Sequence, residues 1–153
     1  MPDSKPPRID LSRFLNPRGV AVVGVSSDAT RIGGQALRLL TDFGYQGKIY
    51  PVNPKYADIK GLTCYPDLGS VPQPCDVALI ALAAHHVPGA IEQAGRAGIP
   101  FALVLSSGFS EVGGEGIALQ ERLVAAARKA NVRVVGPNCL GMLNLKDNAR
   151  IGF

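Results

Sequence analysis

The chain has 153 residues, 46% of them hydrophobic, and a formal net charge of +4, which suits one domain with a sizeable core. No apolar run approaches the roughly 20 residues that a membrane helix needs, and the scattered basic residues, with few aromatics among them, argue against a nucleic-acid surface. The three cysteines, Cys64, Cys75 and Cys139, include no CxxC pair, which argues against a disulfide framework and a zinc site. We therefore expect reduced thiols in a cytoplasmic protein that contacts neither membrane nor nucleic acid.

The first residues are Pro-rich and polar and lack the apolar core of a signal peptide. We expect a flexible lead-in over residues 1–9 and a single folded domain over residues 10–148. Residues 149–153 are expected to begin a linker to a second domain that is missing from this chain.

Strand and helix signals alternate through the first half of the domain. The continuous apolar run at 20–23 is typical of a strand covered on both faces. Apolar residues at helical spacing predict a helix over 33–43. A second strand is predicted over 48–52, and Asn53-Pro54 ends it because proline cannot continue the hydrogen-bond ladder. A short edge strand is expected near 62–65.

The second half continues with a buried strand, a helix opened by a proline, a strand, a long helix and a last strand. Their predicted ranges are 76–82, 88–98, 101–106, 115–130 and 132–136. The predicted apolar side of the long helix consists of Ile117, Leu119, Leu123, Val124 and Ala127.

This alternation predicts an α/β fold, a Rossmann-like doubly wound and mostly parallel sheet in a single three-layer αβα domain. With the six predicted strands numbered in chain order, we expect the sheet order 3-2-1-4-5-6 with a stunted third strand. Such sheets bind ligands in the crevice at the carboxyl ends of the strands, at the point where the strand order reverses. The residues that directly follow each strand are therefore the candidate site.

The loop after the first strand reads GVSSDATRIGG over residues 24–34. It is longer than a GxGxxG turn, and it lacks the second glycine of a GxSxG elbow, which argues against serine hydrolysis. The following helix start offers free backbone N–H groups and a partial positive charge to a phosphate, and the loop adds hydroxyl groups and a guanidinium. The candidate ligand-binding residues here are Gly24, Ser26, Ser27, Arg31, Ile32 and Gly33.

The second strand is followed by Asn53, Pro54, Lys55 and Tyr56. NAD-binding domains usually place an acidic residue here to hold the ribose hydroxyls, but residues 53–57 contain none. Lys55 would instead attract a phosphorylated ribose, as in NADP or in coenzyme A with its 3′-phosphate, although a solvated turn lysine is the alternative. Tyr56 could stack on an adenine or simply cover the core.

Three further loops reach the same edge of the sheet. Ala83 is small enough for a ligand to approach, and neither His85 nor His86 has a carboxylate or cysteine at metal-ligand spacing. Glu111 has no acidic partner in the sequence, and Cys139 has no neighbouring base that would activate it. We assign no catalytic residue and no metal ligand to this chain. The other candidate binding residues are Ser106, Ser107, Gly108, Phe109 and Asn138.

Several short motifs stand at these positions: VVGVS (22–26), YPVNP (50–54), DVA (76–78), SGF (107–109) and GPNCLG (136–141). In this order they resemble the NDP-forming acyl-coenzyme A synthetases, relatives of the α subunit of succinyl-coenzyme A synthetase. The resemblance extends over residues 10–148, and GPNCLG together with YPVNP is its most specific part.

The resemblance implies the family's first domain, which binds coenzyme A as a substrate. The loop over 26–33 would match the family's phosphate-contacting loop, Lys55 its basic residue near the ribose phosphate, and 106–109 the segment lining the pantetheine. The succinyl enzyme has an acidic residue near Ser107, which this chain lacks.

Members of this family activate the acid as an acyl phosphate through a phosphohistidine relay, and coenzyme A then attacks the acyl phosphate. The resemblance places the catalytic histidine in the next domain, and neither His85 nor His86 matches it. ATP or ADP and Mg²⁺ would be bound only through other domains. We therefore expect the coenzyme A-binding part of a larger acid–CoA ligase, whose partners are the ligase's remaining domains or subunits.

The sequence is compatible with two other functions. An NADP-binding oxidoreductase domain is one, although the long first loop without GxGxxG counts against it. A free-standing coenzyme A-binding regulatory module is the other. A protein acetyltransferase carrying this domain in front is a variant of the ligase hypothesis.

Overall fold

The computed structural model describes residues 9–153, so the lead-in expected over 1–9 lies outside the described residues except for Ile9. The α-helices of this range are α1 (Ser12–Leu15), α2 (Ile32–Asp42), α3 (Val87–Arg96) and α4 (Glu115–Ala130). The strands are β1 (Gly19–Val23), β2 (Lys48–Val52), β3 (Asp58–Ile59), β4 (Leu62–Thr63), β5 (Val77–Ile80), β6 (Phe101–Val104), β7 (Arg133–Val135), β8 (Gly141–Asn144) and β9 (Ala149–Gly152). Short 3₁₀ turns occupy Leu68–Ser70, Ala84–His86 and Ser110–Val112.

Five strands form one parallel sheet in the order β2-β1-β5-β6-β7. From β1 the chain passes to β2 on one side and then crosses to β5 on the other, so the strand order reverses between β1 and β5. The predicted α/β, Rossmann-like doubly wound fold is confirmed, and the reversal lies where the pattern predicted it.

The third predicted strand does not join this sheet. Its first two residues form β4, which pairs antiparallel with β3, and Tyr65 makes an isolated parallel bridge to Val52 at the edge beside β2. Pro54 and Pro66 bracket the hairpin, and neither can donate to a ladder. The predicted order 3-2-1-4-5-6 thus holds for five strands, and its outermost place is reduced to one bridge.

The two faces of the sheet carry separate apolar cores, which gives the three layers. In β1, Val20 and Val22 pack with the α2 side, whereas Ala21 and Val23 pack with the α3 and α4 side. All five residues of β1 are buried, as expected of a central parallel strand. Leu40 of α2 is buried in the same core as Val20 and Val22.

The predicted apolar side of α4 is partly wrong. Ile117 and Val124 are 50% and 39% exposed, whereas Gly116 and Ala126 are buried beside Leu119 and Leu123. The buried stripe therefore runs at spacings of three and four residues from residue 116. The sequence alone does not show which residues are buried, because Ile117 and Val124 adjoin the buried stripe and are as apolar as its members.

The end of the chain departs from the expected linker. Residues 149–152 form β9, which pairs antiparallel with β8. Ala149 and Ile151 are buried in the core on the α2 side. Because side chains alternate along a strand, these two residues face the same side and pack together against the domain.

The described cysteines are free thiols, two of them buried. Burial raises the pKa of Cys75 to about 12, so this thiol is not a nucleophile near neutral pH. Within residues 9–153 no helix combines the length and the apolarity required to cross a bilayer.

Candidate functional site

Two clefts open where β1, β2 and β5 end. The first cleft has a volume of about 660 Å³ and lies at the start of α2. The second has a volume of about 630 Å³ and lies at the start of α3. Gly24, Asn53 and Lys55 line both clefts, so a ligand longer than either could pass from one to the other over these residues.

The loop between β1 and α2 forms most of the first cleft. The predicted residues that line it are Gly24, Ser26, Ser27, Arg31, Ile32, Gly33, Asn53 and Lys55. Pro54 lines the second cleft. The structure thus brings together nine of the fifteen predicted binding residues at one edge of the sheet.

Asp28, which is not among the predicted binding residues, organises this loop. Its carboxylate accepts hydrogen bonds from the Thr30 N–H at 2.9 Å and the Thr30 hydroxyl at 2.6 Å, and the Ser26 hydroxyl accepts the Asp28 N–H at 3.1 Å. The bonds from Thr30 lower the pKa of Asp28. The signal was present in the sequence, since Asp-x-Thr directly before a helix favours such local turns. Arg31 approaches Asp28 only at 3.8 Å, and both side chains are exposed.

The start of α2 is open toward the first cleft. Its first turn carries no acidic residue, and no side chain among residues 9–153 caps its N–H groups. Those N–H groups have no partner within the helix, and together with the helix dipole they attract an anion. A side chain is excluded at Gly24, because its φ is +82° and a Cβ there would lie 2.4 Å from the Ala81 carbonyl oxygen. The backbone can therefore pass close to Ala81.

Asn53 ties the two loops of the first cleft together. Its side-chain amide donates to the Val25 carbonyl at 2.9 Å, and its side-chain oxygen accepts the Lys55 N–H at 3.0 Å. Tyr56 continues the connection, since its hydroxyl lies 3.3 Å from the Ser27 hydroxyl. These bonds shape the turn that presents Lys55, whose side chain forms no ion pair among residues 9–153.

Replacing Asn53 by alanine should lower the free energy of unfolding by about 1–2 kcal/mol, because a partly buried carbonyl and an N–H group lose their partner. Urea unfolding measures the change. Asn53→Asp is the second variant, since it keeps the acceptor for the Lys55 N–H but replaces the donor to Val25 by a charged oxygen that repels the Val25 carbonyl oxygen. An alanine variant as stable as the wild type would contradict the tie.

The other six predicted residues lie around the ends of β5, β6 and β7, outside the lining of both clefts. The Ser106 hydroxyl accepts the Leu82 N–H at 3.2 Å, and its carbonyl accepts the Asn138 N–H at 2.9 Å. Gly108 packs close to Ala84, which follows Ala83. Ala83, Ser107 and Asn138 are exposed and Gly108 is half-buried.

Two members of this second group do not present side chains to a ligand. Phe109 is fully buried in the core against α3 and α4, so the expectation that it lines a ligand applies at most to its backbone. Ser106 is 6% exposed, and its hydroxyl is already bonded to the backbone. A sequence cannot show this, because an aromatic residue after a strand can face either the core or the crevice.

Glu111 brings an acidic group next to this loop, four residues after Ser107. Its carboxylate oxygens accept the N–H groups of Gly108 at 2.5 Å and Phe109 at 3.1 Å. Hydrogen bonds from backbone N–H groups, above all that of Gly108, hold the pKa of Glu111 below its ordinary value. The carboxyl group is therefore charged at neutral pH.

The two histidines stand at the mouth of the second cleft. The rings of His85 and His86 lie 3.9 Å apart, and both residues are exposed. No cluster of three His, Cys, Asp or Glu side chains suited to a metal occurs in the described part of the chain. Cys139 is half-buried, and burial raises the pKa of its thiol.

Comparison with known proteins agrees with this geometry. A family model described as a CoA binding domain matches residues 18–144. Acetate–CoA ligase [ADP-forming] I of Archaeoglobus fulgidus is 42% identical over 134 residues, which is 88% of this chain and 19% of that protein. Acetate–CoA ligase [ADP-forming] I subunit alpha of Pyrococcus furiosus is 37% identical over 150 residues, covering 94% of this chain and 32% of that protein.

A solved structure shows the same fold at high similarity. The dinucleotide forming acetyl-coenzyme A synthetase 1 of Ca. Korarchaeum cryptofilum, in complex with phosphate and ADP, superposes with a TM-score of 0.89 at 43% identity. The match covers 94% of this chain and 30% of that one. The chain therefore spans between a fifth and a third of these relatives. The family model covers most of the chain, and with the shared fold this shows that the chain belongs to the family of CoA-binding domains.

Proposed function

We propose that this chain supplies the coenzyme A site of an ADP-forming acid–CoA ligase. The observation that carries the proposal is the position of Lys55, a cation without an acidic neighbour at residues 53–57, where the two clefts meet. Family membership and the names of the relatives support the same function.

In the proposed site, coenzyme A lies across both clefts, with its phosphates next to groups that attract anions. Its diphosphate fits the first cleft, where the open start of α2 and the Ser26 and Ser27 hydroxyls offer donors. Its 3′-phosphate fits Lys55, since a charge-assisted contact favours a phosphate over a hydroxyl. The adenine fits the second cleft against Pro54 and Leu82, which offer apolar surface. The pantetheine would then continue past Ala83 toward the ends of β6 and β7.

The remaining chemistry is assigned to parts of the ligase outside this chain. We infer that they provide the phosphohistidine, bind ATP or ADP with Mg²⁺, and form the acyl phosphate that coenzyme A attacks. The role of this chain is to bind coenzyme A and direct its thiol. A cytoplasmic location belongs to the same proposal, because Cys64, Cys75 and Cys139 are free thiols and remain reduced there.

Calorimetric titration with coenzyme A, dephospho-coenzyme A, NADP and NAD tests the proposal. Coenzyme A should bind best, and loss of its 3′-phosphate or the substitution Lys55→Ala should weaken binding about tenfold or more. Lys48→Ala is the matched control, because Lys48 is an exposed lysine at the opposite end of β2. Tight binding of NADP without a response to coenzyme A would sink the proposal and favour an oxidoreductase domain.

A further inference from the structure

Glu111 makes a contact that the proposed function leaves unused. It lies in the 3₁₀ turn Ser110–Val112 and folds back so that its two carboxylate oxygens receive two successive backbone N–H groups, those of Gly108 and Phe109. The residue is exposed, so this geometry is not imposed by burial. It joins the turn to the loop that follows β6.

The loop that follows β6, residues 106–109, is anchored to the rest of the domain at both ends. At one end, Ser106 is bonded to Leu82 and Asn138. At the other, the Phe109 ring is fully buried and its carbonyl lies against Gly116 of α4. Between them, the bond to Glu111 is the hydrogen bond that orders the Gly108 N–H. Gly108 has the largest backbone freedom of any residue type, so the shape of this span depends on that bond.

We propose that Glu111 is a positioning residue for coenzyme A, holding the Ser107–Gly108 backbone in the shape that the pantetheine meets. This inference rests on the proposed function, because only that function gives the loop a ligand. Glu111 acts through the loop and touches no reacting atom. Two oxygens that both accept are required, since a glutamine would place an NH₂ group against one of the two N–H donors.

The sign of the effect separates positioning from simple charge. Coenzyme A is anionic, so a carboxylate acting only by repulsion would weaken binding, and its removal would tighten it. A positioning carboxylate has the opposite effect, because its removal loosens the loop. Glu111→Gln keeps the size of the side chain but removes its charge and one of its two acceptor oxygens, so the direction of the change in affinity distinguishes the two.

The experiment compares wild type, Glu111→Gln and the control Glu121→Gln, which removes the same charge from an exposed position in the middle of α4. Coenzyme A affinity is measured by calorimetry, and amide hydrogen exchange by NMR. In Glu111→Gln we expect about tenfold weaker binding and about tenfold faster exchange at Gly108 and Phe109, with unchanged protection in β1 and β5. The control should change neither quantity.

Equal or tighter binding by Glu111→Gln overturns the inference while the proposed function stands. Weaker binding without faster exchange at Gly108 and Phe109 also overturns it, because the carboxylate would then act directly and not through the loop. A wild-type chain that binds no coenzyme A contradicts the proposed function, and the inference falls with it.

Discussion

Replacing Gly33 by alanine should lower the free energy of unfolding by about 3 kcal/mol. A Cβ at this position would lie 2.2 Å from the Gly24 carbonyl oxygen and 3.1 Å from the Val25 Cα. Both are backbone atoms, so no side-chain rotation can relieve the overlap. The start of α2 must move away from the end of β1, and the packing between them is lost. Urea unfolding measures the loss, with the dependence of the free energy of unfolding on urea concentration held at its wild-type value.

Gly89→Ala is the control for that experiment. Gly89 lies within α3, and no atom of the described part of the chain lies within 4 Å of its added Cβ. Alanine is the better helix former by about 0.5–1 kcal/mol, so this variant should be as stable as the wild type or more stable. If Gly33→Ala and Gly89→Ala unfold at the same urea concentration, the close approach of α2 to β1 is not tight.

The Gly33 variant should also bind coenzyme A more than tenfold less tightly under conditions where it remains folded. The shift of α2 separates its open N–H groups from the loop that carries Ser26 and Ser27, and both sets of donors are needed by one diphosphate in the proposed site. Titration at low temperature checks this. Unchanged affinity would place the diphosphate elsewhere.

Replacing Asp76 by asparagine should cost about 2–3 kcal/mol at neutral pH. The carboxylate is 2% exposed and accepts three hydrogen bonds from Arg18: from the backbone N–H at 2.8 Å, from Nε at 3.0 Å and from Nη2 at 2.7 Å. These bonds join the chain entering β1 to the chain entering β5. The Arg18 side chain is half exposed, so water screens part of the pair and the loss stays below that of a fully buried ion pair.

The same residue should make stability depend on acid. Burial acts to raise the pKa of Asp76, but the hydrogen bonds from Arg18 outweigh it and hold the pKa below its ordinary value of 3.8. A carboxyl group with a depressed folded-state pKa stabilises the fold fully above its unfolded pKa, and this contribution disappears as pH falls through the folded value. The difference in stability between wild type and Asp76→Asn should therefore narrow below about pH 4. A difference that stays constant from pH 7 to pH 2 would contradict the ion pair.

Much of the fold was readable in the sequence. β2 and α4 occupy the predicted 48–52 and 115–130, because apolar periodicity and terminal residues are local signals. The hairpin of β8 and β9 was not readable. Its strands are short, and Ala149 and Ile151 are buried only because α2 lies opposite them.

The candidate site divides in the same way. Nine predicted residues line the clefts because they lie in the loops after β1 and β2 or at the start of α2, and the carboxyl ends of parallel strands share one edge. Phe109 followed the same rule, yet its ring is in the core. The position of Glu111 could not be predicted from the strand ends, because its carboxylate reaches the loop by folding back three residues.

By itself, the sequence determined the alternation of strands and helices, the point where the strand order reverses and the absence of an acidic residue beside Lys55. These properties depend on neighbouring residues or on the fixed handedness of the crossovers. Only the tertiary structure decided which side of α4 is buried, that the last residues return to the core, and that Arg18 meets Asp76 across 58 positions of sequence. Such contacts depend on which surfaces the packed elements leave facing each other, and no local pattern of residues records that.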